Sequence, residues 1–301
     1  MNIGFIGLGT MGREIAANIL KAGYALTIHD KQPKAAKSLL EGGVSWADTP
    51  KATANFADIL FTCLPGPPEV EAVALGEDGI IEGIRPGAVY IDLSSSSPQL
   101  ARRMYALFKE KGVHVMDSPM TGGWWKARDG TLRVIVSGDE AVFQQCKPVM
   151  EKIAGTIVYA GGIGNATICK LMHNCMGLGI KILLAECLTL GAKAGVDPEV
   201  LWQSVNVRVS DNDRHALSRT YFLGDFDDPT FKLRLSFKDI DLATSLGREF
   251  NVPMAMANLA RQEYITAMNR GWGDKDVSVA MQLQEERAGW VKVRFSDKKA
   301  D

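Results

Sequence analysis

The sequence predicts an α/β protein in two parts: an N-terminal doubly wound parallel sheet and an all-α C-terminal domain, joined by a long interdomain helix. Three observations support this fold class. Short apolar strands alternate with helices as far as residue 153, which is typical of a parallel sheet covered by helices on both faces. Residues 165–195 form one long helical pattern. Only helical patterns follow it.

Each strand of the sheet is predicted from a short apolar run bounded by turn residues. The predicted strands span residues 2–7, 25–29, 44–46, 59–63, 88–92, 113–117 and 132–137. The helices between them span residues 11–22, 34–41, 68–75, 98–111 and 141–153. Gly23 follows the first of these helices, as glycine often does at a helix C-terminus. Pro98 stands at the start of the fourth, where proline is favoured.

A glycine-rich segment at residues 159–164 marks the predicted domain boundary. A dinucleotide-binding domain is expected over residues 1–163, and an all-helical domain for substrate binding and oligomerisation over residues 164–301. A chain of 301 residues is long enough for two such domains.

Composition excludes several classes of function. The net charge of -1 gives no overall bias towards nucleic acid or an anionic membrane. Charged residues interrupt the apolar stretch after residue 165, so no transmembrane helix is expected. The five cysteines show no zinc spacing, and the N-terminus lacks the features of a signal peptide. We therefore expect a cytoplasmic protein with reduced thiols and no metal site.

The first chemical motif lies where the first strand meets the first helix. It has the form G-x-G-x-x-G and consists of Gly7, Leu8, Gly9, Thr10, Met11 and Gly12. In a βαβ unit these glycines allow a tight turn, close approach of a pyrophosphate and close helix packing. The helix N-terminus supplies free N–H groups to the phosphates. This context predicts a dinucleotide site of the Rossmann type.

Asp30 follows the second strand and is the expected partner of the adenosine ribose hydroxyls. A carboxylate at this position repels a 2′-phosphate, so NAD is favoured over NADP as the cofactor. Lys31 and Lys34 oppose this preference, because either side chain is able to meet a phosphate.

Three further loops follow predicted strands at the sheet edge where ligands bind. Leu64 and Pro65 follow one strand, and Ser95 lies in the serine-rich loop after the next. In the third loop, Thr121, Gly122 and Gly123 offer a hydroxyl and backbone N–H groups that suit a substrate carboxylate. Ordinary turns and helix caps are the alternative reading of all three loops.

Lys170 and Asn174 are four residues apart on the long helix and share one face. A lysine that faces a nicotinamide is able to exchange a proton with the reacting hydroxyl, and Asn174 is able to hold the substrate. The alternative is a surface lysine on an amphipathic helix. His173 lies between them but is read as structural.

Taken together, these motifs resemble the β-hydroxyacid dehydrogenase family. Residues 5–12, 117–123 with 127–132, 162–174 and 238–243 match four of its motifs in order. The resemblance implies that Lys170 is the catalytic acid–base group and that Thr121, Gly122, Gly123 and Asn174 surround the substrate. It also implies that Leu64, Pro65, Ser95 and Lys238 lie near the cofactor. A homodimer or homotetramer without metal is implied as well.

The sequence departs from this family pattern at several positions. Thr121 replaces the usual serine, and Trp124 and Trp125 replace small residues. The two indoles either stack on an extended substrate or pack against the protein, and packing is favoured. Arg208 and Arg214 suit a second anionic group on the substrate but are equally read as surface residues.

The predicted reaction is reversible oxidation of a small β-hydroxy acid to its semialdehyde or keto acid. Hydride passes to the nicotinamide while Lys170 exchanges the hydroxyl proton. Two alternatives share this architecture: an imine reductase, in which another residue usually replaces the lysine, and a non-catalytic NAD-binding protein.

Overall fold

In the computed structural model, which describes residues 1–295, the chain divides by its packing contacts into two units. The first unit is Met1–Lys170, and the second begins at Leu171. The predicted boundary at residue 163 lies just before the helix Asn165–Lys193, whereas this division falls inside that helix.

A parallel six-stranded sheet forms the centre of the first unit and confirms the predicted fold class. Its strands are listed in sequence order: β1 Asn2–Ile6, β2 Ala25–His29, β3 Ser45–Trp46, β4 Ile59–Thr62, β5 Val89–Asp92 and β6 His114–Asp117. Their spatial order is β3-β2-β1-β4-β5-β6, and every pairing is parallel. The order reverses between β1 and β4, which is the switch point where dinucleotides bind in such sheets.

The central strands consist of apolar residues because helices cover both sheet faces. The helices of this layer are α1 Gly12–Lys21, α2 Lys37–Leu40, α3 Pro50–Asn55, α4 Pro67–Leu75, α5 Ile80–Gly83 and α6 Pro98–Glu110. Two apolar cores result, one built around Phe5 and Phe61 and the other around Tyr90 and Phe108. The predicted helix over residues 34–41 begins instead as a 3-10 turn at Pro33–Ala36.

A second, three-stranded sheet follows, which the sequence reading did not separate from the first. It contains β7 Met120–Thr121, β8 Leu132–Val136 and β9 Ala154–Tyr159 in the order β7-β8-β9. Strand β7 is antiparallel to β8, and β9 is parallel to it. Helices α7 Gly123–Arg128 and α8 Glu140–Met150 connect these strands. The short loop at Ser118 and Pro119 allows β7 to leave the edge of the large sheet.

The second unit is helical, as predicted. It contains most of α9 Asn165–Lys193, then α10 Pro198–Val205, α11 Asp211–Arg219, α12 Leu233–Glu249, α13 Ala255–Asn269 and α14 Gln282–Arg287. Tyr264 is fully buried, and its hydroxyl donates a 2.9 Å hydrogen bond to the carbonyl oxygen of Leu178. An ion pair between Lys181 and Asp213 joins α9 to α11.

Helix α9 is long and apolar enough to span a membrane by length and composition alone, with a mean hydropathy of 1.6 over its most apolar window. Core helices of soluble proteins meet the same criterion, and 39% of this window is buried inside the protein. The expectation that the chain has no transmembrane helix therefore stays a prediction.

Candidate active site

The G-x-G-x-x-G turn has a geometry in which each glycine is needed for a different reason. Gly7 adopts a φ of 97°, and a Cβ there would lie 2.4 Å from the carbonyl oxygen of Cys63 at the end of β4. A Cβ on Gly12 would lie 1.9 Å from the carbonyl oxygen of Gly7. A Cβ on Gly9 would meet nothing within 4 Å. The turn is thus closely packed at Gly7 and Gly12 and open at Gly9, where a pyrophosphate is expected.

The remaining residues of the turn expose backbone donors at the start of α1. Met11 occupies the N-cap position, and its side chain makes no capping hydrogen bond. Thr10 is exposed and Leu8 is buried. The Leu8 N–H donates a 2.6 Å hydrogen bond to Oδ2 of Asp30, which brings the carboxylate after β2 beside the glycine turn. The Gln32 N–H donates to Oδ1 of Asp30 at 2.7 Å.

Asp92, at the end of β5, holds together the loops that carry Leu64, Pro65 and Ser95. Its Oδ1 accepts hydrogen bonds from the Thr62 hydroxyl at 2.8 Å and from the Ser94 N–H at 3.0 Å. The hydroxyl of Ser94 in turn accepts from the Leu64 N–H at 2.9 Å. Ser94 thus connects the two loops, and the predicted role of the neighbouring Ser95 at the cofactor stays a prediction.

Burial raises the pKa of the Asp92 carboxyl to about 6, against the opposing effect of hydrogen bonds from Ser94 and Thr62. The neighbouring Asp117 carboxylate raises it further. Sequence reasoning missed Asp92, although an aspartate at the end of an apolar strand was a usable signal.

Two buried hydroxyls on the loops after β5 and β6 have no hydrogen-bond partner within residues 1–295. They are the Oγ atoms of Ser96 and Ser118, both on residues at most 2% exposed. Unpaired buried hydroxyls are uncommon because they lose their hydration without compensation. They fit a site that a polar ligand completes.

The predicted carboxylate loop combines a strand end, two glycines and a helix start. Thr121 ends β7, and Gly122 and Gly123 adopt φ values of 137° and 73° that favour glycine. Gly122 is the N-cap of α7 and has no side chain to satisfy the first N–H groups of that helix. The loop therefore has donors available for an anion.

The two tryptophans pack beside this loop. A Cβ on Gly123 would lie 2.8 Å from the six-membered ring of Trp125. Trp124 and Trp125 meet edge to face with ring centroids 6.2 Å apart, and the Arg128 guanidinium lies 5.5 Å from the Trp124 ring. These contacts fit the packing interpretation and place the Trp125 ring against the backbone of the predicted substrate loop.

Lys170 lies in the second turn of α9 and is 8% exposed, which is unusual for a lysine and differs from the surface alternative. Asn174 follows one turn later. Its Nδ2 donates a 2.6 Å hydrogen bond to Oδ2 of Asp239 on α12. Lys238 Nζ lies 3.1 Å from Oδ1 of the same carboxylate, which is 1% exposed.

The predicted residues fall in both units. In the first unit, the glycine turn, Asp30 and the Leu64 and Ser94 loops follow strands of the large sheet, and the same unit contains the Thr121 loop and Lys170. In the second unit, Asn174 and Lys238 both contact Asp239. Asp239 was missed as a site residue, although it stands in the quoted motif beside Lys238. In residues 1–295 no group of three His, Cys, Asp or Glu side chains is arranged to hold a metal ion.

Family models match both parts of the chain. Residues 2–161 match the NAD binding domain of 6-phosphogluconate dehydrogenase. Residues 164–284 match the domain described as NAD-binding of NADP-dependent 3-hydroxyisobutyrate dehydrogenase.

Full-length relatives agree with these models. The chain is 33% identical to 2-(hydroxymethyl)glutarate dehydrogenase of Eubacterium barkeri, over 96% of this chain and 96% of that protein. It is 32% identical to 2-hydroxy-3-oxopropionate reductase of Escherichia coli, over 95% of this chain and 97% of that protein. The chain belongs to the β-hydroxyacid dehydrogenase family.

Solved structures show how closely the fold follows this family. The 3-hydroxyisobutyrate dehydrogenase of Salmonella typhimurium superposes with a TM-score of 0.84 at 25% identity, covering 94% of this chain and 99% of that one. An imine reductase from Pseudomonas sp. superposes with a TM-score of 0.58 at 16% identity, covering 93% and 98%. This second likeness shows a shared fold alone.

As a β-hydroxyacid dehydrogenase, the protein is an oxidoreductase that uses a nicotinamide dinucleotide and acts on β-hydroxy acids. The first expectation from the sequence, a hydride-transferring enzyme of this family, is confirmed.

Proposed function

We propose that this dehydrogenase interconverts a small β-hydroxy acid and its semialdehyde or keto acid, with Lys170 as the catalytic acid–base residue. The observation that carries the proposal is the buried lysine on α9, which belongs to the same unit as the glycine turn and the Thr121 loop. Burial of an amine is costly, so a buried lysine is a candidate for function.

The dinucleotide would lie along the carboxyl ends of the large sheet. The open space at Gly9 and the uncapped start of α1 suit the pyrophosphate, and Asp30 suits the adenosine ribose. Leu64, Pro65 and Ser95 would border the nicotinamide half, and the buried Ser96 hydroxyl suits a polar ligand there. Lys238 would approach the cofactor as the family resemblance implies.

We favour NAD over NADP because of the Asp30 carboxylate. Both of its oxygens already accept a backbone N–H, but a carboxylate has about four acceptor positions, so acceptors remain for ribose hydroxyls. The same negative charge opposes a 2′-phosphate. Lys31 and Lys34 are exposed and lie in the following segment, where they would partly offset this preference.

When bound, the nicotinamide supplies or accepts a hydride at its C4 atom. The ammonium of Lys170 would donate a proton to the carbonyl oxygen during reduction, and the amine would accept the hydroxyl proton during oxidation. Asn174 would orient the substrate: its Nδ2 is held by Asp239, so its Oδ1 is left to accept a hydrogen bond. The Thr121, Gly122 and Gly123 loop would bind the carboxylate.

A substrate panel with a lysine variant tests this function. We expect β-hydroxy acids, or their semialdehydes in reverse, to turn over, and Lys170→Ala to lower kcat by at least ~10²-fold. The control is Lys147→Ala, which removes an exposed lysine on α8 that pairs loosely with Glu151. Near-normal turnover by Lys170→Ala would refute the proposal that Lys170 is the acid–base residue.

Imine reduction is the second candidate reaction, and the fold alone permits it. Retention of Lys170 argues against it. Turnover of cyclic imines with no turnover of any hydroxy acid or semialdehyde would favour that reaction. Dinucleotide binding without turnover of either class would favour a non-catalytic role.

We also propose that the protein is a homodimer or homotetramer. Helix α9 exposes a line of large apolar side chains, among them Met176, Leu183 and Leu190 at 62%, 58% and 72% exposure. Such a line is typical of a surface that another chain covers. Light scattering during size-exclusion chromatography measures the mass, and a monomer at micromolar concentration would contradict the proposal.

All five cysteines are free thiols, which supports a reducing, cytoplasmic location.

A further inference from the structure

Helix α9 begins on a buried carboxylate from the large sheet. The first N–H groups of a helix have no partner within the helix itself. Here Oδ2 of Asp117 accepts from the Thr167 N–H at 2.8 Å and from the Thr167 hydroxyl at 2.8 Å. Oδ1 of Asp117 accepts from the Gly164 N–H at 2.9 Å. One side chain at the end of β6 therefore binds the helix start at two backbone positions.

Ser137 completes this cap from the second sheet. Its backbone forms an antiparallel bridge with Asp117, with N–O distances of 3.2 and 2.9 Å, so the two side chains lie next to each other. The Ser137 hydroxyl donates to Oδ1 of Asp117 and accepts from the Ala166 N–H, the latter at 3.1 Å. Both sheets of the first unit thus contribute to the start of α9.

The cap is buried, which makes its geometry strict. Asp117, Ser137 and Thr167 are 3%, 0% and 1% exposed. A buried carboxylate persists only when hydrogen bonds compensate for its lost hydration. Its negative charge is also favourable beside the positive end of a long helix. A shift of the helix along its axis or a rotation about it would break several of these bonds together.

Lys170 follows Thr167 by three residues, so the two side chains are neighbours on one helical face, one turn apart. We infer that Asp117 is a positioning residue that sets the height and rotation of the start of α9 and thereby the place of the Lys170 amine relative to the strand ends of the first unit. Each residue of a helix adds 1.5 Å and about 100°, so slippage by a single residue would turn the amine away. The inference rests on the proposed acid–base function of Lys170.

Asp117→Asn is the informative variant because it changes only one of the two oxygens. The amide oxygen retains the bonds from Gly164 and Ser137, while the amide nitrogen then faces the Thr167 N–H, donor against donor. A misplacement of about 1 Å costs on the order of 10²-fold in rate. We expect kcat to fall by ~10²-fold, with a raised solvent deuterium isotope effect because proton transfer becomes slower.

Two measurements distinguish positioning from general damage. The Kd for NAD should change by less than about 2-fold in Asp117→Asn. The glycine turn and Asp30, which are the proposed contacts to NAD, lie after β1 and β2, whereas Asp117 lies at the end of β6. Hydrogen exchange of the amides in residues 165–170 should become faster. The control is Thr167→Val, which loses the hydroxyl bond but retains the backbone N–H bond to Asp117, and should keep kcat within about 3-fold.

Lys170→Ala separates the two proposals. If Lys170→Ala is inactive while Asp117→Asn has normal kcat, the positioning inference is overturned and the acid–base assignment survives. If Lys170→Ala is active, the proposed function itself has failed. If Asp117→Asn does not fold, Ser137→Ala decides, because it removes the acceptor of the Ala166 N–H and one donor to Asp117 but leaves the Gly164 and Thr167 bonds to the carboxylate in place. A fall in kcat of about 10-fold with unchanged NAD affinity supports the inference. An unchanged kcat in that variant overturns it.

Discussion

The buried Asp92 carboxyl predicts a pH dependence of stability that a single amide substitution should remove. The unfolded chain releases this proton near pH 3.9, whereas burial raises the pKa of Asp92 in the folded protein to about 6. Between these values the folded protein binds more protons than the unfolded chain. Stability from this group is therefore complete below pH ~4 and is lost as pH rises through about 6.

The size of the effect follows from the two pKa values. A change from 3.8 to about 6 corresponds to ~3 kcal/mol of unfolding free energy. Asp92→Asn retains an oxygen that is able to accept from the Thr62 hydroxyl and the Ser94 N–H, which both bond to Oδ1. It cannot ionise, so the variant should gain ~3 kcal/mol relative to the wild type between pH 4 and pH 7.

Urea unfolding of both proteins at intervals from pH 4 to pH 7 measures this difference directly. Contributions from other titrating groups cancel when the variant is compared with the wild type at each pH. The control is Asp129→Asn, where hydrogen bonding to Arg128 lowers the pKa of an exposed carboxyl, so any pH effect has the opposite sign. A difference between Asp92→Asn and wild type that stays flat with pH would refute the burial argument.

Four further substitutions test the ligand sites. Asp30→Asn should lower the ratio of kcat/KM for NAD over NADP by about 10-fold, since it removes the charge that opposes a 2′-phosphate; an unchanged ratio would contradict the assignment. Gly12→Ala should destabilise the protein by about 2–4 kcal/mol because its Cβ meets a backbone oxygen at 1.9 Å. Gly9→Ala should retain the wild-type Tm but weaken NAD binding. Equal losses of Tm in Gly9→Ala and Gly12→Ala would show that Gly9 is structural. Trp125→Ala should raise the KM for the carboxylate substrate more than it lowers kcat. A change in kcat alone would contradict the idea that the Trp125 ring supports the substrate loop.

Features that depend on short-range patterns were predictable from the amino-acid sequence. The strand, glycine turn and helix over residues 2–22 are adjacent in the chain, so spacing alone predicted their order and the dinucleotide fold. The long helix with Lys170 was predicted for the same reason, because its apolar pattern continues over many turns. The family motifs then correctly predicted a dehydrogenase that acts on β-hydroxy acids.

Contacts between residues that are distant in the chain became visible in the folded structure. Strand β9 and the separate three-stranded sheet were missed, because pairing with a remote strand is not visible in local periodicity. Asp92, Asp117 and Asp239 are buried carboxylates that each have a hydrogen-bond partner far along the chain, at separations of 30, 50 and 65 residues. A buried carboxylate is stable only when hydrogen bonds compensate for its lost hydration, and folding brings these distant donors to it.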